Sequence, residues 1–335
     1  MLRDGDPNTA SPPVTTRSGH RGYRALGMEI ASDFCFSSLP QLDCDQPAMT
    51  ILARCGAFPA PGRRLRHVPA DGPNDIDIQV FENADGVQYW VDRVGKFWIE
   101  ARGTRVWYSL RADADHGDVE HFLVGPILGL AAQLQGRVLL HAGAVQIGGV
   151  AVAFSAPHGY GKSTLVASLA RSGMPFLTDD VLPLQTTGSG IRACLSLPRI
   201  KLWEDSVAAL GETRVAYRRV VSWLDKRRVT IGENWGTVAR SDLPLAAIYL
   251  LAPHLDPGRG VEFAELTPSA ATLALMANMY MAEMLEGERA RHALRAAAAT
   301  ASVRLRRVSY HRAYETLPAL KAAIIADLGV AVAAP

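Results

Sequence analysis

Nine residues near the middle of the chain, Ala156-Pro157-His158-Gly159-Tyr160-Gly161-Lys162-Ser163-Thr164, have the types and spacing that hold a row of phosphates. The general pattern for such a P-loop is G-x-x-x-x-G-K-[ST]. Gly159 and Gly161 let successive backbone N–H groups turn inward around phosphate oxygens. A helix opening at Lys162 would point its positive end at the same anion. Lys162 would reach the β- and γ-phosphates, and the Ser163 hydroxyl would ligate Mg²⁺, a hard cation that prefers oxygen. Pro157 to Thr164 are therefore expected to cradle a nucleoside triphosphate. Ala156 stands where the pattern has its first glycine. Alanine costs little there if φ is negative and more if φ is positive.

Two further features lie close by. Asp179-Asp180 ends the next apolar run, where a carboxylate can meet the metal on the loop. One carboxylate would hold Mg²⁺ and the other would take the proton of an attacking hydroxyl; two such groups need not titrate independently. The structural alternative is an Asp pair capping a turn before Pro183. His141 closes the apolar run upstream. A lone His among apolar residues is ordinarily a satisfied core residue, and spacing alone leaves a functional role open.

The surrounding elements must position these groups. Val138–Val145 and Gly149–Phe154 read as strands around a Gly148-Gly149 turn. Lys162–Arg171 reads as a helix ended by Gly173, and residues 175–178 as a short strand, which makes a βαβ unit. Upstream, Asp85-Gly86 and Arg102-Gly103 join short alternating runs (Ile76–Phe81 with Val87–Val91, Lys96–Ala101 with Thr104–Leu110), the signature of β-hairpins. Asp118 is the expected N-cap of a helix to Gln135, kinked by Pro126. Further strands are expected over Ile191–Leu202, Leu245–Leu251 and Val303–Val308. Helices are expected over Ser269–Leu285, Arg289–Ala301 and Tyr314–Leu328. The basic segment Arg214–Glu233 reads as a loop, either mobile at the site or plain surface. The expected organisation is a flexible polar tail over 1–22, a β-rich module over 23–112 and a P-loop domain over 113–330.

Composition sets limits. Of 335 residues, 48% are hydrophobic and 20% charged, with a net charge of +2, so neither a nucleic-acid stripe nor a disordered chain is indicated. The four cysteines (Cys35, Cys44, Cys55, Cys194) form no C-x-x-C pair and suit reduced thiols in a cytoplasm. The apolar stretch from Phe122 is broken by Pro126, Gln133, Gln135 and Arg137, too short and interrupted for a membrane span. The N-terminus lacks a signal-peptide core.

From His141 to Leu184 the run HAGAVQIGGVAVAFSAPHGYGKSTLVASLARSGMPFLTDDVLPL resembles the kinase domain of the HPr kinase/phosphorylase superfamily. Weaker outer matches are YRALGMEIASDFCFSSLPQL, the segments Pro198–Trp203 and Asp225–Arg227, and the strand from Pro244. These are similar to the HPr-kinase-related branch that includes kinases of lasso-peptide precursors. The resemblance implies an α/β (α+β) phosphoenolpyruvate-carboxykinase-like P-loop kinase core behind the β-rich module. It also implies His141 beside the phosphates, Asp180 as general base, Asp179 with Ser163 at Mg²⁺, and Lys226 or Arg227 supplying charge to the transferring phosphoryl group. Thr164 stands where HPr kinases carry an acidic residue, and their RGLGI-type segment is absent, so neither HPr nor the reverse reaction is implied.

The expectation is thus an ATP- and Mg²⁺-dependent kinase acting on a Ser or Thr hydroxyl of a peptide or small protein, with no nucleic-acid or membrane partner. The alternatives are a nucleotide-binding pseudokinase of a peptide-modification system, a kinase of a small molecule such as free serine, and a plain NTPase. Self-association is left open.

Overall fold

The computed structural model describes residues 20–72, 75–211, 217–232 and 235–329. The expected tail lies almost wholly outside the described residues, as do parts of the basic segment 214–233. The chain forms a mixed α/β arrangement of several sheets.

The first sheet has eight strands: β1 (Arg21–Ala25), β2 (Met28–Ser32), β3 (Met49–Ala53), β4 (Arg63–Val68), β5 (Ile78–Asn83), β6 (Gly86–Val91), β7 (Gly95–Glu100) and β8 (Arg105–Leu110), in the order β1-β2-β3-β8-β7-β6-β5-β4. The expected hairpins are present. At the first, Asn83 Oδ1 accepts from the N–H groups of Asp85 and Gly86 (2.9 and 3.2 Å). Gly86 has φ 144°, and a Cβ there would come within 2.0 Å of Ile99 O, so the turn needs glycine. Alternation buries Val80, Val87, Tyr89, Phe97, Ile99 and Val106 on one face. Leu123, Ile127, Leu128 and Ala131 of the following helical segment join the same core.

That segment corrects one expectation. The helix N-cap is Asp115, whose Oδ1 accepts from Gly117 and Asp118 N–H (2.8 and 3.1 Å). Asp118 instead binds Ser222 N–H and Oγ (2.8 and 2.7 Å). The helix runs as α1 (His116–Phe122), a wide π turn (Leu123–Ile127) and α2 (Leu128–Leu134). Pro126 has no N–H to donate, and the chain absorbs the loss by widening the turn.

The remaining strands are β9 (Val138–Leu140), β10 (Ala142–Ile147), β11 (Val150–Ser155), β12 (Phe176–Thr178), β13 (Leu182–Thr187), β14 (Gly190–Ala193), β15 (Arg199–Trp203), β16 (Lys226–Thr230), β17 (Leu243–His254), β18 (Glu262–Glu265) and β19 (Arg304–His311). The helices are α3 (Lys162–Arg171), α4 (Glu204–Ala209), α5 (Pro268–Ala277), α6 (Gly287–Thr300) and α7 (Leu317–Leu328). In the second sheet β12, β10, β11 and β17 are neighbours in that order, and β19 pairs with β17. Strands β15 and β16 form a separate ribbon.

Four further expectations are revised. The continuous strand over Val138–Val145 breaks at His141, whose N–H donates to Asn278 O (2.7 Å) and whose carbonyl accepts from Ser155 Oγ (2.8 Å). β9 therefore pairs with β13, and β10 with β11 and β12. Ile191–Leu202 splits into β14 and β15 ahead of Pro198, where Leu195 N–H turns to Asp242 Oδ1 (2.8 Å). The helix from Ser269 stops at Ala277, because Asn278 closes it with its own side chain on Ala274 O (2.8 Å) and Met281 takes φ 53°. Within the basic segment, Lys226–Thr230 is strand, not loop, held by β15. Among the described residues, no helix is long and apolar enough to cross a membrane, and all four cysteines are free.

Candidate functional site

The sheet brings several loops to one edge. β11, β17 and β19 are parallel. β12 runs the same way as β11, because both pair antiparallel with β10 between them. The carboxyl ends of these strands share an edge, where α/β sheets form crevices. His141, just before antiparallel β10, reaches the same edge, since Ala142 lies opposite Ser155.

From β11 the chain enters the loop and then α3. Gly159 and Gly161 have φ 82° and 83°, so the loop needs glycine at both. Ala156 is outside the left-handed region, and the positive-φ residues other than glycine among those described are Leu26, Asp180 and Met281. It is also buried in the core beside Leu165 and Val166. Alanine thus carries no backbone strain at this point. Gly161 is the N-cap of α3, and no side chain caps that end, which leaves its first N–H groups directed at the cavity.

Around this helix end the polar side chains are paired. Ser163 Oγ donates to Asp179 Oδ1 (2.8 Å), and Asp179 Oδ2 accepts from Lys201 N–H (3.2 Å). Lys162 Nζ lies 2.6 Å from His141 Nε2. An ammonium only donates, so Nε2 carries the lone pair and the Nδ1 proton faces Asp180, with O and Oδ1 both at 3.1 Å. Asp180 Oδ2 takes an ion pair from Lys201 Nζ (2.7 Å). Asp180 itself sits at φ 77°, a conformation that Asp and Asn tolerate better than other non-glycine residues.

Electrostatics follow from this geometry. Burial pushes the Asp180 carboxyl up, but Lys201, His141 and Lys162 together win and hold it well below the usual carboxylate range. Burial lowers Lys162, Lys226 and His158 from their ordinary values, with Asp180 opposing in each case. A lowered carboxylate stabilises the fold above its unfolded pKa, and that contribution is lost as pH falls through the folded value. We predict that urea unfolding of Asp180→Asn loses less stability than wild type between pH 6 and pH 3; identical pH profiles would contradict the pairing.

Every residue from Pro157 to Thr164 lines one cavity of about 470 Å³, together with His141, Asp179, Asp180 and Lys226. Lys226 sits with its Nζ 5.7 Å from the Trp203 ring. Arg227 is not in the lining; it pairs with Glu204 (2.9 Å) and Asp225 (3.5 Å). Strand alternation separates the two basic neighbours onto opposite faces of the ribbon. Sequence reading did not single out Lys201, Tyr310, Arg312 or Tyr314, which also line the cavity. For Lys201 a signal existed: Arg199, Lys201 and Trp203 alternate onto one face of β15, and Trp203 pairs with Lys226. Buried Arg199 then ties this ribbon to the first sheet's loops, donating to Ser38 Oγ (2.9 Å).

The pair Ser163 and Asp179 presents a hydroxyl and a carboxylate oxygen side by side, which suits Mg²⁺ held by one or two protein oxygens plus substrate phosphates. Among the described residues no cluster of three His, Cys, Asp or Glu could hold a metal without such help.

No family model and no curated protein matches the chain. Among solved structures it is similar to the Hpr(Ser) kinase/phosphatase from Coxiella burnetii, at 12% identity and a TM-score of 0.32, over 56% of this chain and 94% of that one. A likeness of that size fixes neither family nor activity for this chain.

Proposed function

We propose that the chain is an ATP- and Mg²⁺-dependent kinase that transfers the γ-phosphate to a Ser or Thr hydroxyl of a peptide or small protein. The observation that carries this reading is the cluster at the mouth of the glycine loop. Lys162, His141, Asp180 and Lys201 form one connected chain of contacts beside Ser163 and Asp179.

In that reading the loop N–H groups and the end of α3 bind the phosphates, and Lys162 leaves His141 for the γ-phosphate. Ser163 and Asp179 hold Mg²⁺, which neutralises charge on the phosphate oxygens. Lys201 and Lys226 offer further positive charge at the same mouth. As Lys201 turns to the phosphoryl group, Asp180 loses its strongest cationic partner and its basicity rises. Asp180 then takes the acceptor's hydroxyl proton, the acceptor oxygen bonds to the γ-phosphorus, and the bond to the β-bridging oxygen breaks, releasing ADP. His141, through its Nδ1 proton, orients the Asp180 carboxylate. The β-rich module stands next to the ribbon that carries Lys201, joined to it where Arg199 donates to Ser38 Oγ, and this second surface beside the site supports a peptide over a free amino acid as acceptor.

The test is transfer from γ-labelled ATP with Mg²⁺ to Ser- and Thr-containing peptides, with free serine and water as competing acceptors. The expected result is label on a peptide hydroxyl. Label on serine alone would make it a small-molecule kinase. Phosphate release alone would make it an NTPase, and binding without any transfer a non-catalytic partner.

A further inference from the structure

The groups suited to transfer chemistry occupy one side of the cavity. Asp179 and Asp180 follow β12, two strands to one side of β11, the strand that feeds the loop. The other side differs. β19 lies two strands away in the opposite direction, roughly 10 Å at ordinary strand spacing, and its carboxyl end brings Tyr310, Arg312 and Tyr314 to the cavity wall.

This wall is fastened to the loop and α3 at two points. Tyr310 Oη donates to Tyr160 O (3.1 Å). A chain of hydroxyls runs from Thr164 Oγ1 to Ser206 Oγ (3.1 Å) and on to Tyr314 Oη (3.1 Å). Tyr314 is nevertheless 37% exposed, a large aromatic residue left open on a cavity wall. Arg312 is exposed, and among the described residues its guanidinium has no carboxylate partner, whereas Lys201 has Asp180 and Lys162 has His141. Its charge acts on both phenols, opposing the rise that burial imposes. Asp205 lines the cavity beside them and can accept from an exocyclic amine.

The direction of a bound triphosphate follows. Lys162 marks the β- and γ-phosphate end, and Asp180 lies at that end. The α-phosphate and whatever it carries must then leave toward β19. We propose that Tyr310, Arg312 and Tyr314 form the seat of the nucleoside, with the base stacked on the Tyr314 ring and Arg312 donating to the ribose hydroxyls. The proposal rests on the nucleotide reading above and adds the residues that distinguish a nucleotide from bare polyphosphate.

Calorimetry on the full chain with Mg²⁺ separates the two, using ATP and inorganic triphosphate as ligands. Wild type is expected to bind ATP at least severalfold more tightly than triphosphate. Tyr314→Ala should weaken ATP roughly tenfold, the usual worth of one base stack, with triphosphate affinity little changed. Arg312→Gln, at an exposed position where folding is not at stake, should weaken ATP severalfold and triphosphate far less. Equal affinity of wild type for both ligands, unchanged ATP affinity in both variants, or equal loss of both ligands in Arg312→Gln would overturn the nucleoside seat alone. Binding of neither ligand to wild type would overturn the nucleotide reading as well.

Discussion

Replacing Asp180 with asparagine is expected to lower phosphoryl transfer by about 10²- to 10⁴-fold, the usual worth of a general base, while ATP·Mg²⁺ still binds. The substitution is chosen for its local geometry. Asp180 has φ 77°, and asparagine is among the few side chains that accept this conformation at small cost. An amide oxygen can still accept from His141 Nδ1, as the carboxylate now does at 3.1 Å. It cannot take a proton from a hydroxyl, nor hold the charge of Lys201, which sits 2.7 Å away. A loss of transfer with binding retained therefore reports proton acceptance and not collapse of the site. Single-turnover transfer alongside calorimetry would check it. Wild-type transfer by the variant would show that Asp180 is not the base.

Lys162→Met is expected to weaken ATP·Mg²⁺ by roughly 10- to 100-fold, the worth of a charge-assisted hydrogen bond to phosphate, and to lower transfer by a further factor of about 10² or more. The effect on stability should be small or favourable. Lys162 is only 7% exposed, burial disfavours its charge, and its hydrogen-bond partner is the His141 ring, not a carboxylate. Methionine fills similar volume without a buried charge. Thermal unfolding measured beside ligand titration distinguishes the two effects. Unchanged ATP affinity would mean that the lysine does not meet the phosphates.

The loop's conformation was legible because it is encoded locally. Two left-handed glycines, a lysine and two hydroxyl residues fall within the six positions Gly159–Thr164, after a continuous apolar strand and at the start of a helix. The hairpins of the first sheet were legible for the same reason, since Asn83 to Gly86 carry their own turn chemistry. What the residues did not announce was pairing across long separations. The break at His141 depends on Asn278, more than a hundred positions later, and on a Ser155 hydroxyl. The split between β14 and β15 depends on Asp242. Tertiary hydrogen bonds of this kind override strand propensity. Lys226 and Arg227 were equivalent in sequence, and only the register of β16 against β15 sends Lys226 to the cavity and Arg227 to Glu204. Tyr310, Arg312 and Tyr314 reach the cavity because β19 lies beside β17, a parallel pairing of distant segments that periodicity does not reveal.

The most direct test of the central claim is a crystal structure of the chain with Mg²⁺ and a non-hydrolysable ATP analogue. The expected result has the phosphates in the loop from Pro157 to Gly161, the γ-phosphate against Lys162 Nζ and facing Asp180, and the metal between Ser163 and Asp179. A nucleotide bound outside this loop, or one whose γ-phosphate points away from Asp180, would contradict it.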